Sequence, residues 1–319
     1  MSVPALTRDR AEAALARQES FEIIELATRQ SAVLAAGNTV QMRGETLRVP
    51  VLGALPSAEF VGESSQGALS TEGVDIKPKS TAQIDTLTLK ARTLATIIVV
   101  PEEVLEDDEA GLSSLIQTRA AEAIGAKMDE AVLFGSADKP TDWPTSIVPA
   151  AIAAGRFVTE GASVDLAGDI NLAWAEVEDS DFDINVQMAS RRIRARLRGL
   201  RDAENAPIFV SSLRDDAQAE SVYGEPIFFV RNGSWDNSEA TLIVGDSRHM
   251  HIGLRSDVSY KMLTEAPVTD GDGNVYSLAE RDLVAVRARF RAAFEVSVPV
   301  SRDQTANPYP FAVVTPAGS

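Results

Sequence analysis

Residues 94–147 read LATIIVVPEEVLEDDEAGLSSLIQTRAAEAIGAKMDEAVLFGSADKPTDWPTSI, and three kinds of local order follow one another there. The β-branched run Ile97–Val100 predicts a strand. Pro101 ends it, because proline has no N–H to give to a ladder. Six carboxylates follow: Glu102, Glu103, Glu106, Asp107, Asp108 and Glu109. Acids in that position favour the positive end of a helix dipole. From about Gly111 to Phe134 the residues Leu112, Leu115, Ile116, Ala120, Ala123, Ile124, Met128 and Val132 recur at helical spacing, so one face is apolar. At 1.5 Å per residue this is a rod roughly 36 Å long, closed by Gly135 and a Pro-rich loop. A long helix beside a strand, carrying no catalytic side chains, reads as a strut.

The rest of the composition narrows the chemistry. A chain of 319 residues holds one large domain or two. Its net charge of −17 argues against a protein whose main task is gripping nucleic-acid phosphates. It suits one that must tolerate nearby DNA without sticking to it. There is no cysteine, which excludes disulfides and thiolate metal sites, and two histidines leave little for metal or acid–base chemistry. No signal-peptide core and no apolar run of about 18 residues stands out, so no membrane span and a cytosol-like site of synthesis are expected.

Ahead of the opening stretch, residues 6–36 read as a helix with Gly37-Asn38 as its stop. Residues 40–56 are extended, with turns at Gly44 and Gly53. A polar Gly/Ser-rich region, residues 60–81, is too long for an ordinary hairpin loop. Alternation at residues 84–91 then predicts a strand. Two extended arms around a long polar tip make a protruding hairpin, which buries little unless a neighbour covers it. Beyond Gly155 a second unit begins. Its predicted elements are a helix at residues 165–179, a strand at 184–188, a helix capped by Ser190, and strands at 208–210, 227–230 and 241–244. The 190–201 helix carries Ile193, Leu197 and Leu200 on one side and Arg191, Arg192, Arg194, Arg196, Arg198 and Arg201 on the other. Residues 283–290 alternate with period two, as a strand does.

The phrases VPEEVLEDD, LFG and W-P-T-x-I, with Pro78–Gln83, Arg194–Asp202, Tyr223–Ile227, Gly245-Asp246-Ser247, Arg255–Lys261 and Asp282–Phe294, stand in the order seen in the major capsid proteins of tailed phages. The chain resembles that family over residues 40–300. The resemblance implies an α+β Hong Kong 97-type fold: an N-terminal arm and lead-in (1–56), an extended E-loop (57–92), and a peripheral P domain (93–157) with spine helix 111–134 on an antiparallel sheet. An axial A domain (158–280), a P-domain return strand (281–300) and a C-terminal tail (301–319) complete it. It implies no enzyme activity and no cofactor. The expected partners are further copies of the chain in hexamers and pentamers with heterologous contacts, a separate scaffolding protein, a portal, decoration proteins, and packaged DNA held non-specifically. The expected location is the capsid of a virion assembled in the host cytoplasm. A bacterial encapsulin shares the fold and is the nearest alternative.

Candidate contact residues follow from charge. Six lysines against twenty-four arginines favour bidentate pairing with carboxylates. Arg191, Arg194 and Arg198 are therefore expected to meet acids of a neighbouring subunit, and Glu102, Glu103 and Asp107 to offer such acids. Some family members join an E-loop lysine to an asparagine of another subunit. Lys77 and Lys79 stand in the tip, but no residue matches the partner. His249 and His251, two apart on an expected strand, carry the remaining alternative, a His-x-His metal enzyme. The Asp270–Asn274 run fails a calcium-loop count, since Val275 and Arg281 stand where glycine and glutamate are needed. It reads instead as a hairpin turn.

Overall fold

The computed structural model describes residues 31–56, 83–103, 112–163, 165–200, 221–264, 266–269, 275–300 and 307–317. In chain order these form α1 (Ala32–Ala36), β1 (Asn38–Met42), β2 (Thr46–Ala54), β3 (Gln83–Lys90), β4 (Arg92–Pro101), α2 (Leu112–Leu133) and α3 (Ile147–Ala153). Then come β5 (Phe157–Thr159), α4 (Leu166–Glu178), β6 (Val186–Ser190), α5 (Ile193–Gly199), β7 (Ser221–Val222), β8 (Glu225–Val230) and β9 (Leu242–Gly245). The chain ends with β10 (Met250–Leu263), β11 (Pro267–Thr269), β12 (Val275–Ser277), β13 (Leu283–Val296) and β14 (Phe311–Thr315).

The spine is α2. Ile116, Ala120, Ile124, Met128 and Val132 are buried at four-residue spacing, while Leu115, expected on the same face, is 50% exposed. The loop after the helix satisfies its last turn. Gly135, at φ +96°, donates its N–H to the Glu130 carbonyl. Trp143 Nε1 and Ser146 Oγ both donate to the Ala131 carbonyl, at 3.2 and 2.9 Å. Trp143 also stacks on Phe294 of β13. The W-P-T-S phrase is thus a side-chain cap for one carbonyl of the last turn, that of Ala131.

The spine lies on a four-stranded sheet in the order β1-β10-β13-β4. Three of its strands are antiparallel, and β1 joins at the edge as a parallel strand. Alternation along β13 sends Ala288, Phe290, Ala292 and Phe294 into the core under the helix. A six-stranded sheet, β5-β14-β9-β6-β8-β7, forms the second layer system. On one face it packs against α4 and α5, through Ile170, Val177, Ile193 and Leu197; on the other, Met188, Ile243 and Phe311 join the core that also contains α2 and α3.

Several sequence expectations move. The expected helix 6–36 cannot run through Ser31, which is extended at φ −99° and caps the short α1 instead. Ser190 caps nothing: it is the buried end of β6, paired with Val230, and α5 starts at Ile193 without a side-chain cap. Ladder pairing wins there over the cap. Gly245 is the last residue of β9, and a Cβ on it would meet the Pro310 carbonyl at 2.4 Å. The long β10, placed by sequence within residues 158–280, is an inner strand of the spine's sheet. Residues 311–315, placed in a tail, are an inner strand of the six-stranded sheet. The β11–β12 hairpin flanks residues 270–274, which lie outside the described residues, as do 6–30 and 208–210.

Candidate assembly surfaces

The first surface is a ribbon. Among the described residues β2 and β3 form ladders only with each other, from Thr46↔Lys90 to Ala54↔Gln83, with a bulge at Gly53. The base of the ribbon is anchored by Leu89 and Ala91, which pack on Met42 and Ala293. Further out, the facing pair Leu52 and Ile84 is 46% and 68% exposed. A two-stranded ribbon with exposed aliphatics is marginal by itself. Its far end, residues 57–82, with Lys77 and Lys79, lies outside the described residues.

The second surface is α5. Sequence reading put six arginines on one open side, and the structure divides the described ones. Arg196 pairs with Glu160, which also accepts from Thr241 Oγ1, and the Arg196 hydrogen bond holds the Glu160 carboxyl below its usual range. Arg194 lies over the Phe229 ring at 5.8 Å. Arg191, Arg192 and Arg198 remain exposed on the described helix and its approach. Of the three candidate contact arginines, Arg191 and Arg198 are exposed, and Arg194 packs in part against its own fold.

Glu102 and Glu103 are exposed where β4 ends, and Glu102 donates its N–H to the Asp282 carbonyl at the mouth of β13. Asp107 lies outside the described residues. Beside β4, a groove of about 530 Å³ is lined by Leu94, Ile124, Lys127, Lys139 and Trp143. Two of its cations are already neutralised, Arg92 by Asp142 and Lys127 by Asp138.

The histidines sit at the junction of the two sheets. His249 is in a 3-10 turn and His251 in β10, and both rings meet Ser297 Oγ, at 3.1 and 3.0 Å. Asp246 lies 3.7 Å from the far side of His249. The line Asp246–His249–Ser297 has the order of a hydrolytic triad. Ser297 is only 4% exposed, however, and the adjoining cleft is lined by Asp246, Arg248 and His249 without it. Among the described residues no three His, Asp or Glu side chains gather in a metal-binding group. The two rings pack on Ser297, and His249 also meets the Phe182 ring edge-on.

Burial lowers the proton affinity of both rings; for His249, Asp246 opposes that and Arg248 adds to it. Their folded-state values lie below the ordinary 6.5, so they contribute stability above that pH that is lost as pH falls through the lowered values. Glu295, opposite His251 and raised by burial, runs the other way. The two rings therefore contribute a fall in melting temperature between about pH 7 and about pH 5. His249→Gln/His251→Gln should flatten that slope in a calorimetric pH series.

One polar node was missed in the sequence. Asp129, fully buried on α2, accepts hydrogen bonds from Ser31 Oγ, the Ala32 and Val33 N–H groups, and Asn232 Nδ2. It clasps the segment before β1 and the turn after β8 to the spine. Burial raises its proton affinity, outweighing the four donors. No sequence signal separates it from the exposed acids of a helix, apart from its place beside Met128 in the apolar stripe.

Residues 13–301 match the phage capsid family. The major capsid protein of Staphylococcus phage 80alpha is 22% identical over 295 residues, covering 92% of this chain and 84% of that protein. A solved structure from Microbacterium phage Oxtober96 is 40% identical at a TM-score of 0.75, covering 90% of this chain and 91% of that one. One from Mycobacterium phage Cain is 34% identical at a TM-score of 0.75, covering 91% of each chain.

Proposed function

The chain belongs to the phage capsid family and is a major capsid protein of a tailed phage, and from that premise we propose how it builds a shell. Copies assemble by heterologous contacts, one face meeting a different face next door, and rings close by rotation into hexamers and pentamers. The six-stranded unit with α5 lines the capsomer centre and presents Arg191 and Arg198 to acids of the adjacent copy. The β2–β3 ribbon lies over the neighbouring copy, and the N-terminal arm runs along the inner side. Shell expansion moves these units as rigid bodies while the ribbon and spine hinge.

The observation that carries this reading is the ribbon. Its Leu52–Ile84 pair is exposed in one copy and needs a second copy to leave water. A separate scaffolding protein, a portal and decoration proteins act with the shell, packaged DNA is held without sequence preference, and assembly takes place in the host cytoplasm. A nanocompartment shell is not favoured, since the similar proteins come from phages.

Co-expression with the scaffolding gene and electron microscopy test the reading. Closed icosahedral shells are expected, and Leu52→Ser/Ile84→Ser should lower their yield about tenfold while leaving the monomer folded. A monodisperse monomer under every co-expression condition overturns it. On a denaturing gel, a single band at the 34.1 kDa monomer mass excludes covalent links through Lys77 or Lys79.

A further inference from the structure

The face of the four-stranded sheet turned away from α2 carries a row of cations. Register places Lys261 and Ile97 on either side of Arg287, Ser259 and Ala95 beside Arg289, and Arg255 and Thr93 beside Arg291. Two rows thus set like charges directly opposite each other, which destabilises a ladder. Arg287 and Arg289 are half-buried, and the Nε of each is shut off from solvent with no hydrogen-bond partner. Thr93, Ala95 and Ile97 beside them are exposed, so the face is open on the β4 side. In a chain of net charge −17, Arg287 and Arg289 with Lys261 beside them, held on an open face, call for an anionic cover.

We propose that this face is the dock for the acidic run 102–109 of a second copy, an inference that rests on the capsid reading. That run holds six carboxylates and no cation in eight residues, whereas the ribbon tip, residues 57–82, holds Glu59, Glu63, Glu72 and Asp75 against Lys77 and Lys79. Glu102 and Glu103, its described members, are exposed. Duplex DNA would meet the same arginines only against the repulsion of the whole chain. Within one copy the run leaves at the sheet's end, where Pro101 faces Leu283, and Arg287 to Arg291 stand four to eight residues further along β13. At about 3.3 Å per residue the nearest arginine is roughly 13 Å away along the strand. Donor and acceptor sets at different places on one protomer are what a head-to-tail ring contact requires. Guanidinium forks suit carboxylates that arrive from a neighbouring chain.

A charge swap in the full-length chain, co-expressed with its scaffold, tests this. Wild-type shells should form, while Arg287→Glu/Arg289→Glu should lower shell yield at least about tenfold with the soluble protein's circular dichroism and melting temperature retained. Adding Glu106→Arg/Asp107→Arg to that variant should bring the yield back to within about threefold of wild type. If the reversal unfolds the sheet, Arg287→Gln/Arg289→Gln takes its place, with a smaller loss and no change in fold. The dock is overturned by unchanged shell yield, by normal shells that merely lack DNA, by rescue from Glu59→Lys/Glu63→Lys in the ribbon tip instead, or by failure of the swap to rescue. Absence of shells from the wild-type chain would sink the capsid reading itself and is scored separately.

Discussion

Removing residues 309–319 is expected to leave no folded six-stranded unit, and so no soluble protein and no shells. The cut looks harmless in the sequence, because the segment is short and terminal. In the fold it is an inner strand: β14 runs antiparallel to β9 on one side and parallel to β5 on the other. Phe311 and Val313 enter the core shared with the spine, while Ala312 and Val314 enter the core under α4. All four are fully buried. Burying Phe311, Val313 and Val314 stabilises by about 1.5–3 kcal/mol each, so their loss removes roughly 6 kcal/mol. That is comparable with the whole stability of an ordinary domain, about 5–15 kcal/mol. The orphaned ladder edges of β5 and β9 add to the cost and expose aggregation-prone strands. Solubility after expression, with circular dichroism on any soluble fraction, checks it. A truncated chain that stays soluble and keeps its sheet signal contradicts the central placement of β14. Phe311→Ala is the milder companion, expected to lose about 3–5 kcal/mol.

What the sequence revealed depended on how local the determining forces were. The spine helix announces itself because its apolar spacing, the acidic approach and the positive-φ Gly135 all lie within one window. The β13 strand is equally plain, since alternation alone fixes which side chains face α2. β14 is invisible for the opposite reason. Its five residues form a strand only because β9 and β5, about 70 and 155 positions earlier, wait for them. The Ser190 cap failed because the pairing of that residue with Val230 is also long-range. Among the candidate contacts, the arginines of α5 were legible as a charged face, yet no local signal told that Glu160 would claim Arg196. The basic row on β13 was written in the same alternation that identified the strand, and only the register with Lys261 and Arg255 turned three arginines into a cluster of five cations.

Asp129→Ala should lower stability by roughly 4 kcal/mol and release the chain ahead of β1 from the spine. The carboxylate receives four donors from two distant parts of the chain, and Ser31 and Asn232 are 98 and 103 positions away in sequence. Alanine leaves those donors buried without acceptors, at about 1–3 kcal/mol for each that finds no water. Asp129→Asn behaves differently. Burial already favours the uncharged form of this group, so a neutral amide keeps an acceptor without the desolvation cost of the anion. Asparagine should therefore lose only about 1–2 kcal/mol, with its Oδ1 kept toward Ser31 Oγ and the Val33 N–H. The pH dependence separates the two contributions. A carboxyl with its folded-state value raised above the ordinary 3.8 adds stability below that value and loses it as pH rises through the raised one. The gap between wild type and Asp129→Asn should accordingly shift in favour of asparagine as pH climbs from about 3 to 7. Limited proteolysis gives an independent readout: cleavage near residues 31–37 should accelerate in Asp129→Ala and stay near wild type in Asp129→Asn. Equal protection in both variants would mean that α1 is held by Val33 and Leu34 in the core and not by the carboxylate clasp.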